Sequence, residues 1–144
     1  MIAVDTLYTH LYAVEINERE ALTVHVFENA KFDVSDPIFF EALTLENGDT
    51  LRAIARIIVL ASYSEVVSIN DVYTNGNRGL DVGIRYNSPD FPFYSFIRYY
   101  LVNGSFVAFT WTGDEPALRN VFNTRRQGSE STSNKDIFFN SIRF

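Results

Sequence analysis

Alternation of apolar and polar residues divides this chain into hairpins joined by helical stretches. The segment "VVSINDVYTNGNRGLDVGIRY", 66–86, centres on Asn75-Gly76, a pair suited to a type I′ turn because both positions take positive φ. Pairing outward from Thr74 and Asn77 puts Tyr73, Ile69, Val67, Leu80, Val82, Ile84 and Tyr86 on one face. The other face holds Asn70, Ser68, Asn77, Gly79, Asp81, Gly83 and Arg85, with Val66 and Val72. This predicted hairpin is amphipathic, and one face needs cover.

The next hairpin, "FYSFIRYYLVNGSFVAFTWTGDEP", turns at Asn103-Gly104 and pairs Val102 with Ser105. Its register gives one face Val102, Tyr100, Arg98 and Phe96 with Val107, Phe109 and Trp111, and the other Leu101, Tyr99 and Ile97 with Phe106, Ala108 and Thr110. Both faces are apolar, which is what a sheet covered on each side produces. Near the N-terminus, "HLYAVEI", "NERE" and "ALTVHVF" predict a third hairpin from about Leu11, with a helical turn possible before it over Val4, Leu7 and Tyr8.

Helix signals fill the intervals. Asp36 caps a helix with Pro37 in its first position, and Asn47-Gly48 ends it. Asp49 caps "TLRAIARIIVLASYSE", whose Leu51, Ile54, Ile57, Ile58 and Ala61 leave a polar strip at Arg52, Arg56 and Tyr63, so most of its girth is packed. "DEPALRNVFNTRR" has Asp114 as cap, an apolar face of Leu118, Val121 and Phe122, and Gly128 as terminator. "SNKDIFFNSIRF" opens with a capping box at Ser133 and Asp136. Between these two helices, "QGSESTSN", 127–134, is polar and reads as a mobile loop. The expected fold class is α+β: an antiparallel sheet with helices packed on both faces, a three-layer α/β/α sandwich in one domain.

Bulk properties narrow the function classes. At 144 residues the chain suits one domain, and its longest apolar run, Ile57 to Ala61, is far short of the roughly 20 residues that a spanning helix needs. "MIAVDTLYTH" lacks the basic start and apolar core of a signal peptide, as in a cytoplasmic chain or one whose signal has been removed. The absence of cysteine excludes disulfides, thiolate metal sites and a Cys nucleophile. Net charge is −6 with one adjacent basic pair, Arg125 and Arg126, so there is no electrostatic footprint for nucleic acid.

Candidate chemistry is sparse. A four-residue turn over Asn17 to Glu20 would pair Tyr12 with His25 and His10 with Phe27, setting both imidazoles on one face roughly 7 to 8 Å apart. In that register Glu28 points to the opposite face, so a metal lacks further ligands and none is expected. None of the serines stands in a G-x-S-x-G elbow, and neither phosphate-cradling glycine motif occurs, so no cofactor is expected. Asp71 and Asp81 fall on opposite hairpin faces, and Arg78, diagonal to Asp71, is its expected partner. Arg98 lies opposite Phe109 between Phe96 and Tyr100, an arrangement suited to cation-π stacking. It reads either as a structural arginine under a helix, paired with a helix carboxylate, or as part of a surface where Arg98, Tyr100, Phe109 and Trp111 hold a ligand or partner.

The phrases "NRGLDVGIRY", "FIRYYLVNGSFVAFTWTGDE" and the close "IFFNSIRF", with the helix at 50–65, resemble the PsbP-like superfamily, which includes DcrB-like bacterial proteins. The likeness spans roughly 20–144 in order of elements, and the family's tryptophan-containing N-terminal phrase is missing. It implies an antiparallel sheet with helices on both sides and a non-enzymatic accessory, chaperone or envelope role, with no catalytic residues to carry over. The expected function is thus a non-catalytic module that binds another protein through an exposed edge or aromatic surface. The alternative is a small enzyme or ligand carrier with an aromatic-lined pocket in a nuclear transport factor-like cone fold.

Overall fold

The computed structural model describes residues 8–28, 32, 34–62, 64–86, 93–126 and 133–144. Six strands, β1 (Tyr8–Asn17), β2 (Glu20–Glu28), β3 (Ser64–Thr74), β4 (Asn77–Tyr86), β5 (Phe93–Val102) and β6 (Ser105–Asp114), form one open antiparallel sheet in the order β1-β2-β6-β5-β4-β3. Four helices accompany them: α1 (Pro37–Leu45), α2 (Thr50–Ser62), α3 (Glu115–Arg126) and α4 (Asn134–Asn140). The fold is α+β. The helical turn expected before Leu11, the terminator Gly128 and nearly all of the polar loop at 127–134 lie outside the described residues.

Local chemistry sets the element boundaries. Asp36 caps α1 by accepting from the Ile38 amide at 2.9 Å, and Asn47 and Gly48 close it at positive φ. Asp49 accepts from the Arg52 amide at 3.2 Å at the start of α2, Asp114 from Ala117 at 3.0 Å, and Ser133 from Asp136 at 3.2 Å. Asn75-Gly76 and Asn103-Gly104 all take positive φ, as type I′ turns require. The helix expected to reach Glu65 stops at Ser62, because Ser64 and Glu65 pair with Tyr86 and Arg85 as the start of β3.

Topology follows from where the first hairpin docks. β2 pairs with β6, while β3 lies at the far edge, four strand spacings or about 19 Å away. The chain covers that gap through α1 and α2, and the 13 residues of α2 span about 20 Å. Leu51, Ala53, Ile54, Ala55 and Ile57 of α2 pack with Leu80, Val82, Ile84, Tyr99 and Phe106. A second cluster takes the alternate strand residues Phe96, Tyr100 and Trp111, with Ala117, Leu118 and Val121 of α3 and Phe139 of α4. Tyr99 and Tyr100 are adjacent in sequence, both wholly buried, and belong to different clusters. Each such ring removed from water contributes about 3 kcal/mol. Phe122, expected on the packed face of α3, is half exposed.

Two of the three registers are as the turns dictate. Every β5–β6 pair from Val102↔Ser105 to Phe93↔Asp114 follows the Asn103-Gly104 turn. In β3–β4 the register holds from Thr74↔Asn77 to Ser68↔Gly83, after which a bulge at Val67 puts Val66, not Val67, opposite Ile84.

The β1–β2 register is corrected. The turn is the two residues Glu18 and Arg19, tightened by the Arg19 amide donating to Asn17 Oδ1 at 2.8 Å, and an irregularity between Glu15 and Asn17 shifts the pairing by one. His10 therefore faces Val26, and Leu11 faces His25. One residue of slip exchanges the faces of a whole strand.

Gly79 and Gly83 make room for the second cluster. A Cβ on Gly79 would lie 2.5 Å from Cε1 of Tyr100 and 2.8 Å from the Tyr99 carbonyl, and one on Gly83 would lie 2.7 Å from Cε1 of Phe96. The Tyr100 ring is held in place by its hydroxyl, 2.8 Å from Thr74 Oγ1. Gly79→Ala is expected to destabilise the fold by about 2 kcal/mol through overpacking. Urea unfolding should show a lower midpoint with unchanged slope; an unchanged midpoint would mean that the ring moves freely.

Candidate functional site

Among the described residues, two groups of charged side chains tie helices and strands together. The first joins the N-terminus of α2 to the β3–β4 turn. Arg78 donates to Asp49 Oδ2 at 2.8 Å and to Asp71 Oδ1 at 2.8 Å, and Arg52 donates to Asp71 Oδ2 at 3.1 Å. Arg78 pairs with Asp71 as the diagonal relation predicted, and Asp49, read from sequence as a helix cap, also ties the helix to the sheet. The hydrogen bonds from Arg78 hold the Asp49 carboxyl below its ordinary 3.8 against the opposing effect of burial. The same arginine, then Arg52, lowers Asp71. Close by, the Tyr99 hydroxyl donates to the Leu51 carbonyl at 2.5 Å, and burial pushes its pKa well above the ordinary phenol range.

The second group centres on Arg98. Its Nη2 is 2.7 Å from Asp81 Oδ2, and both side chains are mostly buried, at 19% and 14% exposure. Its guanidinium also sits 4.6 Å from the centre of the Phe139 ring in α4. The arginine is stacked under a helix, as one of its two sequence readings held, but its carboxylate comes from the neighbouring strand. Asp81 and Arg98 are directly opposite in the β4–β5 register. Residues 87–92 separate these two strands in sequence, so no two-residue Asn-Gly pair announces their register. Beside it Lys135 lies 4.3 Å from the Phe96 ring centre.

The other residues of the expected binding surface are placed differently. Tyr100 and Trp111 are wholly buried within the second cluster, and Phe109 contacts Phe138 and Phe144 edge-on. Trp111 Nε1 donates to Glu20 Oε1 at 3.1 Å, while Glu20 Oε2 accepts from Asn134 at 3.0 Å, so this carboxylate links β2, β6 and α4.

The two histidines lie on opposite faces of the β1–β2 hairpin. His10 is 3.5 Å from Glu28, the carboxylate that the uncorrected register had turned away. His25 stacks on Phe27 with ring centres 4.0 Å apart, and burial lowers its pKa below 6.5. Among the described residues no group of three or more potential metal ligands comes together. Asp71 and Asp81 also lie on opposite faces, as expected.

Clefts indent the described surface. One, of about 320 Å³, runs between α2 and β3 and is lined by Arg52, Ala55, Val59, Leu60, Val66 and Ile69, among others. The second, of about 700 Å³, lies at the β1–β2 turn end of the sheet, where Glu15, Glu18, Glu20 and Asp114 meet Arg19. A third adjoins it at Pro116 and Asn120. None of these three is lined by Asp71, His25 or Asp81.

No protein-family model matches the chain. No curated protein matches it either. Among solved structures the chain is similar to the crystal structure of PA94, a protein of unknown function from Pseudomonas aeruginosa. Identity is 9%, the TM-score is 0.49, and the match covers 88% of this chain and 82% of that one.

Two outcomes test the ion pairs. Asp81→Asn and Arg98→Met should each cost about 2 kcal/mol, and the double variant less than their sum by about 1 kcal/mol in a double-mutant cycle; strict additivity would show the pair uncoupled. Asp49 and Asp71 have lowered folded pKa values, so their contribution is present above pH 3.8 and lost as pH falls below it. Arg78→Met should therefore lower the urea midpoint at pH 7 yet converge with the parent protein near pH 2. An equal deficit at both values would assign the arginine a packing role.

Proposed function

We propose that the protein is a non-catalytic binding or accessory module that contacts another protein through the β1–β2 end of its sheet. The observation that carries this reading is the state of β1. It is an edge strand, and Leu11, Tyr12 and Val14 are 63%, 62% and 59% exposed. The described helices make their substantial contacts with β3 to β6, and β1 exposes apolar side chains on both of its faces. Contiguous apolar surface of this kind marks protein contacts, and an edge strand adds the geometry for an extended segment to pair alongside it.

The ionisable groups support the same reading. Asp49, Asp71 and Asp81 are each committed to an arginine, an arrangement that stabilises structure instead of leaving a carboxylate poised for proton transfer. In this reading α1–α2 and α3–α4 cover opposite faces as a three-layer α/β/α sandwich. That is the arrangement implied by the PsbP-like and DcrB-like resemblance, whose members are mostly accessory, chaperone or envelope proteins.

The triple substitution Leu11→Ser, Tyr12→Ser, Val14→Ser tests the proposal, since these exposed positions cost little stability. In cross-linking within source cells, the parent chain should form an adduct with a second protein that the triple variant loses, while Phe40→Ser on α1 keeps it. An adduct indifferent to the triple substitution would overturn the assignment.

A further inference from the structure

The opposite edge of the sheet has a different character. There a cleft of about 320 Å³ lies between α2 and β3, lined by Ala55, Val59, Val66 and Ile69 together with the paired Glu46, Arg52 and Arg56. Leu60 stands at one end of this cleft and is 70% exposed, an apolar knob beside an apolar hollow on the same surface. Val67 and Tyr73 continue the apolar surface along β3, at 49% and 71% exposure.

We infer that this α2–β3 flank binds a second copy of the same chain in an isologous dimer. Shape is the first reason. A two-fold axis normal to the sheet, beside β3, brings α2 of each copy to the same side, where Leu60 of one enters the cleft of the other. Such a two-fold interface is self-complementary because each copy supplies both the knob and the hollow.

Charge is the second reason. Two chains of net charge −6 repel unless the surface between them is locally neutral. On this flank Arg52, Arg56 and Arg78 are matched by Glu46, Asp49 and Asp71 in the ion pairs of the structure. The cleft at the other end of the sheet gathers Glu15, Glu18, Glu20 and Asp114 against Arg19, and two copies would oppose one another there. The bulge at Val67 interrupts regular pairing along β3. The contact is therefore side chain to side chain, helix against helix over the strand edge, and not a continuous twelve-stranded sheet.

Sedimentation equilibrium of the full chain, from about 1 to 200 μM, reads the result directly. The parent protein should approach twice its 16.5 kDa mass at the upper end, and Leu60→Glu should weaken association at least about tenfold while leaving the urea midpoint in place. Because the chain lacks cysteine, Leu60→Cys and Tyr12→Cys give single attachment points for a short bis-maleimide. Cross-linked dimer is expected from the first and not the second. A parent chain that stays monomeric throughout, a Leu60→Glu variant that dimerises normally, or cross-linking confined to Tyr12→Cys would each overturn the inference.

Discussion

The constraint on which the rest of this structure depends is that the β5–β6 hairpin is apolar on both faces. Its side chains divide between two separate hydrophobic clusters, one with residues of α2 and the other with residues of α3 and α4. The connection from β2 to the far edge crosses the sheet as α1 and α2 and packs on Tyr99, Phe106 and Ala108. The segment after β6 returns as α3 and α4 and packs on Phe96, Tyr100 and Trp111. Adjacent tyrosines thus end in separate cores, and a single hairpin organises both.

Aromatic rings of this size fit against a pleated sheet where the neighbouring strand has no side chain to oppose them. Gly79 lies opposite Tyr100 and Gly83 opposite Phe96, and each ring occupies the space a Cβ would need. The polar groups of the same region are then used to hold the layers in register. Glu20 fixes the Trp111 indole and Asn134 together, and Arg98 bridges Asp81 to the Phe139 ring. On the other face the Asp49, Arg52, Asp71 and Arg78 set locks the start of α2 to the β3–β4 turn. These ion pairs and hydrogen bonds tie one element to another.

Part of the apolar surface this packing leaves exposed is at the two sheet edges. β1 carries Leu11, Tyr12 and Val14 toward solvent, amid acidic residues. β3 lies beside the outer flank of α2, with an apolar cleft and balanced charges. The aromatic interior of the central hairpin is consumed by the two cores.

The sequence by itself determined whatever depends on near neighbours. Positive φ at Asn75-Gly76 and Asn103-Gly104 set two hairpin registers, and with them the facing of Arg98, Tyr100, Phe109 and Trp111. The caps at Asp36, Asp49, Asp114 and Ser133 set where helices begin, because a cap is satisfied within three residues of itself. Tertiary structure decided what depends on distant partners. The β1–β2 register turned on a local irregularity near Ile16 that no Asn-Gly pair announces, and it separated His10 from His25 while joining His10 to Glu28. The Asp81–Arg98 pair needed the β4–β5 register, and the burial of Tyr100 and Trp111 needed the return of α4. Contacts of that kind are fixed by the packing free energy of the whole chain, which no short stretch of sequence contains.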